Sequence, residues 1–302
     1  MKLLVINNLA SGPGDGKVYD FVRAFVRDGD EVCLRSTDGT TDIAELVGDA
    51  ASFDAVVAGG GDGTCTAVNC LLANSGIPVL PFPAGTANLL AHNLRGPIEP
   101  HALAEITREG RTLDFDLGQI EVEGKSFGFE MIAGAGYDAT IMRAAEASKK
   151  TMGEAAYFSA AVANATPQVS KFTLTLDGET IESEGLGVLL VNFSQLQYDI
   201  SVTHENEPRD GKFDVVVLKA QTAFELIPAL LAAMRDVNQD YPDRTDALVM
   251  YQAKEVHLEA DPPMEVQYDG EPTGLYTPFD AHILPHAARM IVSKEGYKTF
   301  ED

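Results

Sequence analysis

Residues 53 to 64 read Phe53-Asp54-Ala55-Val56-Val57-Ala58-Gly59-Gly60-Gly61-Asp62-Gly63-Thr64. The apolar run from Phe53 to Ala58, halted by three glycines, predicts a buried strand that ends in a tight loop. Ala67, Val68, Leu71 and Leu72 recur at helical spacing behind it, so a helix is expected to follow, with the Thr64 hydroxyl capping its first turn. Glycines let a bulky ligand approach the main chain, and loop N–H groups at the positive end of a helix converge on an oxyanion. Phosphate is the expected occupant, and Asp62 points to a divalent cation carried on it. Glycine-rich strand-to-helix turns also arise from sterics alone; the Asp62-Gly63-Thr64 completion favours the phosphate.

The chain of 302 residues has room for one large or two ordinary domains with a sizeable core. Its 45% hydrophobic and 23% charged content is that of an ordinary globular protein. Lys and Arg number 22 against 46 Asp and Glu, a net charge of −24, which excludes nucleic acid as a partner and restricts membrane contact to a small or mostly apolar patch. Three cysteines, Cys33, Cys65 and Cys70, form an odd set that suits reduced thiols packed as small hydrophobes in an intracellular protein. The opening Met1-Lys2-Leu3-Leu4-Val5-Ile6-Asn7-Asn8 is too short an apolar run for a signal peptide core, and no apolar run reaches about 18 residues. A cytoplasmic location is expected, with peripheral membrane association at most.

Leu3 to Ile6 predicts a strand, followed by the turn-forming Ala10-Ser11-Gly12-Pro13-Gly14-Asp15-Gly16. Val18, Phe21, Val22, Phe25 and Val26 share one helix face. Gly12 to Gly16 is one residue short of P-loop spacing, and Val18 stands where Ser or Thr should hold magnesium, so a P-loop is excluded. A strand at Glu31 to Leu34, a helix at Ile43 to Val47, a strand at Ile77 to Leu80 and a helix at Leu89 to Leu94 continue the alternation. That rhythm implies a parallel sheet covered on both faces, with ligands bound outside the carboxyl ends of its strands. Asn8, the 59 to 64 loop and Gly85-Thr86-Ala87-Asn88 are therefore expected to converge on a nucleotide.

From Arg111 onward the texture changes. Leu113 to Leu117 and Phe127 to Met131 alternate around a Glu123-Gly124 turn, Phe172 to Leu176 alternate up to Asp177-Gly178, and strands are expected at 186–191, 213–218, 256–258, 264–268 and 289–293. Helices are expected through Ile141 and Ala145, over 155–163, and over the apolar 224–234, the last as a core or inter-domain helix. Asp269 and Glu271 would face one side of a strand, or a turn at Gly270 would present both. Asp177-Gly178-Glu179 repeats the tripeptide and reads as a plain hairpin turn. His92, His204 and His257 lack metal-ligand spacing.

These residues together resemble the diacylglycerol kinase catalytic family, which includes bacterial soluble lipid kinases and sphingosine kinases, over nearly the whole chain. The resemblance is carried by Gly60-Gly61-Asp62-Gly63-Thr64, Pro83-Ala84-Gly85-Thr86-Ala87-Asn88 and Asp269-Gly270-Glu271; the first alone is shared with NAD kinases and phosphofructokinase-like enzymes. It implies an α/β N-terminal domain that binds ATP, and a mainly antiparallel β-rich C-terminal domain that supplies lipid binding and catalysis. By the same resemblance, Asp62 would hold magnesium, and Asn8, Gly60, Gly61, Gly63, Thr64, Gly85, Thr86 and Asn88 would line the nucleotide. Asp116 resembles another carboxylate near the metal, Asp269 would be the general base, and Glu271 a metal-site carboxylate. Leu9, Leu89 and Arg209 depart from the family, which usually has Pro at the first position and Asp at the other two; the two acidic positions belong to a structural-metal region in some bacterial members.

The expected boundaries are 1–110, with 287–302 returning to that domain, and 111–286. The expected reaction is transfer of the ATP γ-phosphate, with Mg2+, to a hydroxyl of a diacylglycerol-like or other long-chain lipid alcohol. Its expected partners are that lipid and a transient membrane surface, and a homodimer is left open. A soluble, NAD-kinase-like small-molecule kinase and a catalytically lapsed nucleotide- or lipid-binding regulator remain as alternatives.

Overall fold

The computed structural model describes residues 1–12, 16–136, 168–195, 202–203, 206–222, 225 and 247–301. Apart from Glu225, the helices expected at 141–145, 155–163 and 224–234 lie outside these residues, as does His204. The chain divides into two compact units, 1–117 with 285–302, and 118–284.

The first unit opens with β1 (Lys2–Asn8), α1 (Lys17–Phe25), β2 (Glu31–Thr37), α2 (Ile43–Val47), β3 (Ala55–Gly60) and α3 (Asp62–Leu71). It continues with β4 (Val79–Pro83), α4 (Leu89–Asn93), α5 (Pro100–Glu109) and the start of β5 (Thr112–Val122). β2, β1, β3 and β4 pair in that order, all parallel. Leu3 to Ile6 and Ala55 to Ala58 are buried throughout, as a sheet covered on both faces requires. α1 buries Val18, Phe21 and Phe25, and the Phe21 ring packs edge-on against Phe82 at 5.4 Å between centroids. Truncating Phe21 to Ala would cost about 3–5 kcal/mol. Val26 falls beyond the last helical residue and is exposed.

Around the glycines the structure departs from expectation in two ways. β3 runs on to Gly60 and α3 starts at Asp62, so the cap is Gly61, with extended backbone (φ −83°, ψ −178°) and no side-chain cap. Thr64 is therefore not the cap: it lies within the first turn, where its hydroxyl accepts a hydrogen bond from Asn8 Nδ2 instead. Thr64, Cys65, Val68 and Asn69 form the buried side of α3, which leaves Leu71 exposed.

The second unit takes the rest of β5, then β6 (Lys125–Phe129), β7 (Ile132–Gly136), β8 (Ser170–Leu176), β9 (Glu179–Gly185) and β10 (Gly187–Val191). After these come β11 (Phe213–Leu218), β12 (Leu248–Ala253), β13 (Glu255–Asp261), β14 (Glu265–Tyr268) and β15 (Glu271–Tyr276). β16 (Phe279–Ile291) carries the chain back to the first unit, where Met290 pairs in parallel with Val79 and α6 (Lys294–Phe300) closes the described fold. An antiparallel sheet runs β12-β11-β10-β7-β14-β15, and β9, β8, β13 and β16 pair antiparallel in turn. Inward residues of both sets, among them Val188, Val215, Val266, Leu174, Leu258 and Phe279, share one core, the arrangement of a β sandwich.

Two-residue hairpins join several of these strands: Glu123-Gly124 joins β5 to β6 with positive φ at both positions (48° and 75°), and two further hairpins carry Asp-Gly. Asp177-Gly178 joins β8 to β9 and Asp269-Gly270 joins β14 to β15, with positive φ at both positions of each (49° and 89°; 44° and 83°). This is the turn geometry that matches strand twist, and it explains the Asp-Gly pair in each place. Asp269 thus sits in a turn rather than on a strand face, and Glu271 opens β15. Among the described residues, no helix is long and apolar enough to cross a membrane.

Candidate functional site

Three loops meet at the carboxyl edge of the parallel sheet in the first unit. Asn8, the last residue of β1, donates from Nδ2 to Thr64 Oγ1 at 3.1 Å, and its Oδ1 accepts from the Ala10 N–H at 3.0 Å. The Ala84 N–H donates to the Gly60 carbonyl at 3.1 Å, which ties the loop after β4 to the end of β3. A Cβ on Gly85 would stand 2.4 Å from the Gly61 Cα, so these two backbones touch directly. Asn88 folds the second loop on itself: its Oδ1 accepts from the Gly85 N–H at 2.7 Å, and its Nδ2 donates to the Gly85 carbonyl at 3.0 Å. Thr86 is exposed at the tip of that loop, and Gly63 is exposed with no atom within 4 Å of where its Cβ would be.

Asn8, Gly60, Gly61, Asp62, Thr64, Gly85 and Asn88 are thus brought together. The Thr64 and Cys65 N–H groups donate to the Gly61 carbonyl at 3.0 and 3.2 Å, which leaves the Asp62 and Gly63 N–H groups at the start of α3 as the donors an anion can take. An anion would meet them together with the helix's positive end. Sequence reasoning did not single out Thr37, which belongs to the same edge. It is buried at the end of β2, its carbonyl accepts from the Leu9 N–H at 2.8 Å, and its hydroxyl accepts from the Gly39 N–H at 3.0 Å. The Thr37 to Thr41 run of polar turn residues after an alternating strand was the available signal.

Asp62, half-buried as the first residue of α3, accepts a hydrogen bond on Oδ1 from the Leu90 N–H at 3.0 Å, an orphan donor in the first turn of α4. No hydrogen bond reaches Oδ2 from the described residues. Leu89, one of the family departures, is the first residue of α4. Asp116, on β5, is fully buried, and its Oδ1 accepts from the His286 N–H at 2.6 Å. Glu271 is exposed. Among the described residues no group of three or more His, Cys, Asp or Glu is gathered as a metal cage. A magnesium ion that keeps its waters and takes one or two protein carboxylates plus phosphate oxygens needs no such cage, and the second oxygen of Asp62 is a hard ligand of that kind.

In the second unit the Asp269 carboxylate is held by three consecutive backbone N–H groups. Met131 and Ile132 donate to Oδ1 at 2.8 and 3.0 Å, and Glu130 donates to Oδ2 at 2.9 Å. The Asp269 N–H in turn donates to the Ile132 carbonyl at 2.7 Å. Successive N–H groups converging on one point form an anion nest. Asp177 makes a smaller version in its own hairpin, accepting from the Lys254 and Glu255 N–H groups at 2.9 and 2.8 Å. The corner at 130–132 was not legible in the sequence, because it lies 137 to 139 residues from Asp269.

Comparison with known proteins agrees with this geometry. The diacylglycerol kinase catalytic domain model matches residues 2–120, and that of the YegS C-terminal NAD kinase beta sandwich-like domain matches residues 131–292. An uncharacterised protein of Synechocystis is 25% identical over 250 residues, covering 80% of this chain and 55% of the relative, so the match spans little more than half of that protein's length. A Mycobacterium tuberculosis diacylglycerol kinase is 26% identical over 250 residues, covering 80% of this chain and 78% of the relative. The crystal structure of a diacylglycerol kinase from Bacillus anthracis shares the fold with a TM-score of 0.71 at 20% identity, covering 97% of each chain. With both halves matched in order, the chain belongs to the diacylglycerol kinase catalytic-domain family and is a lipid kinase of that type.

Proposed function

We propose that the protein transfers the γ-phosphate of ATP to a hydroxyl of diacylglycerol or a similar long-chain lipid alcohol. The observation that carries this reading is the meeting of Asn8, Gly61, Asp62 and Gly85 to Asn88 at one sheet edge. Donor N–H groups, a helix start and one carboxylate gathered there suit a nucleotide triphosphate with its cation. The family adds the lipid acceptor.

In this proposal the glycines let the phosphates reach the main chain, and the Asp62 and Gly63 N–H groups at the start of α3 hold them. Asp62 would hold Mg2+, and its bond from the Leu90 N–H fixes the carboxylate's direction. Glu271, exposed just after the Asp269 turn, is a metal-site carboxylate by the family resemblance alone. Asp116 is wholly buried and engaged by His286, which supports a structural role more than ligation. When bound, Mg2+ neutralises charge on the transferring phosphoryl group.

Asp269 receives the acceptor hydroxyl. Its nest fixes the carboxylate's direction, which suits orienting the hydroxyl and taking its proton late in a loose transfer. The attacking oxygen forms its bond to the γ-phosphorus as the bond to the β–γ bridging oxygen breaks, leaving ADP.

The test is transfer of labelled γ-phosphate from ATP to 1,2-dioleoylglycerol in mixed detergent micelles with Mg2+, and with Asp269→Asn as control. A labelled lipid that vanishes in the variant supports the proposal. Labelling of soluble alcohols alone, or ATP binding without transfer, would overturn it in favour of a soluble-substrate kinase or a lapsed regulator.

A further inference from the structure

The nest that holds Asp269 is itself held from behind. Glu130 and Met131 form the two-residue connection between β6 and β7. Their N–H groups and that of Ile132 point to the Asp269 carboxylate, and their carbonyls are taken by one residue and its neighbour. Asn192 Nδ2 donates to the Glu130 carbonyl at 2.7 Å, and the Asn192 N–H donates to the Met131 carbonyl at 2.8 Å. The Phe193 N–H reaches the same Met131 carbonyl at 3.2 Å. Asn192 is 1% exposed and directly follows β10, whose last residue, Val191, pairs with Ile132.

We propose that Asn192 is the positioning residue for Asp269, fixing the 130–131 and 131–132 peptide planes so that the Met131 and Ile132 N–H groups, two of the three, stay aimed at the carboxylate. The physical basis is that each peptide is planar, so holding its carbonyl on one side fixes its N–H on the other. The Asn192 amide holds the 130–131 peptide by its carbonyl, and that peptide carries the Met131 N–H on Asp269 Oδ1. The Asn192 main chain holds the 131–132 peptide, which carries the Ile132 N–H on the same oxygen. Removing the side chain leaves the buried Glu130 carbonyl without that donor and frees the first plane to tilt. A catalytic group displaced by a fraction of an ångström loses rate without losing substrate.

This inference rests on Asp269 being the group that receives the acceptor hydroxyl. The experiment compares wild type, Asn192→Ala, Asn192→Gln and Asp269→Asn in transfer from MgATP to 1,2-dioleoylglycerol micelles, with amide hydrogen exchange measured on each. For Asn192→Ala we expect kcat to fall about 10- to 100-fold, with KM for ATP and for dioleoylglycerol within about twofold and faster exchange confined to residues 130–132. Asn192→Gln keeps the amide but shifts it by one methylene, and it provides the same comparison if the alanine variant does not fold. Unchanged kcat in a folded variant, or a fall in kcat accompanied by raised KM and faster exchange across the whole second unit, would overturn the assignment. An inactive Asp269→Asn with a fully active Asn192 variant removes only this inference. A fully active Asp269→Asn removes the reading of Asp269 and this inference with it.

Discussion

Gly61 and Gly85 touch backbone to backbone: a Cβ on Gly85 would lie 2.4 Å from the Gly61 Cα and 3.0 Å from Asn88 Oδ1. The nearer contact is with backbone, which cannot swing aside as a side chain can, so the strain of Gly85→Ala has no easy outlet. We expect a loss of about 1–3 kcal/mol and weakened nucleotide binding, read by chemical denaturation and by titration with MgATP.

Gly63 gives the opposite sign for stability. It lies in the first turn of α3 with nothing within 4 Å of its missing Cβ. Gly63→Ala should raise stability by about 0.5–1 kcal/mol, as expected for alanine in a helix. If phosphate approaches here, the same methyl should lower ATP affinity at least several-fold. A more stable protein with undiminished ATP binding would show that this glycine serves local sterics alone.

Asp62 has two separable tasks. Asp62→Asn keeps an oxygen for the Leu90 N–H and removes the charge, so Mg-dependent nucleotide affinity should fall about tenfold with little change in melting temperature. Asp62→Ala also removes the acceptor from Leu90 and should cost about a further 1–2 kcal/mol of stability. Calorimetric titration beside thermal unfolding separates the two.

Asp269 and Asp177 form a matched pair. Asp269→Asn turns an N–H donor toward the Glu130 N–H and should cost about 1–3 kcal/mol as well as abolishing transfer, with the ATP dissociation constant unchanged. Asp177→Ala should cost a similar stability, since it removes the oxygen that accepts two backbone N–H groups. Its kinase rate should match wild type. Loss of transfer in both would mean that the assay reports folding rather than chemistry.

His257 provides a pH test independent of the nucleotide edge. Partial burial alone would lower its pKa, but Nδ1 lies 2.8 Å from Asp280 and Nε2 lies 3.4 Å from Glu259, and these bonds raise it overall. A raised folded value means that the histidine's contribution is fully present below its unfolded pKa of about 6.5 and disappears as pH rises through the folded value. The groups are partly solvent-exposed, so the contribution is screened. His257→Gln should therefore lower the melting temperature at pH 5.5 and leave it near wild type at pH 9. An equal difference at both pH values would exclude the ion pairs as its source.

The glycines, the apolar strands and the Asp-Gly turns were legible in the sequence because each is a local matter. Val56 and Val57 have to be covered wherever they go, Asp-Gly accepts positive φ at both turn positions, and the β-α rhythm permits few sheets. The order of the loops along one edge follows from that topology, which gathers Asn8, Gly61 and Asn88. The helix cap was misread because Thr64 satisfies the residue preference for a cap, whereas the strand continues to Gly60 and leaves the cap to Gly61. Tertiary structure alone gave Thr64 to Asn8, Asp62 to Leu90, Asp116 to His286 and Asp269 to the corner at 130–132. These partners lie 28 to 170 residues apart, and one oxygen is as good a hydrogen-bond acceptor as another until folding brings a particular donor to it. The residue types of the site are thus written in the chain, while the direction in which each carboxylate points is decided by main-chain donors that any sequence carries and only this fold aims.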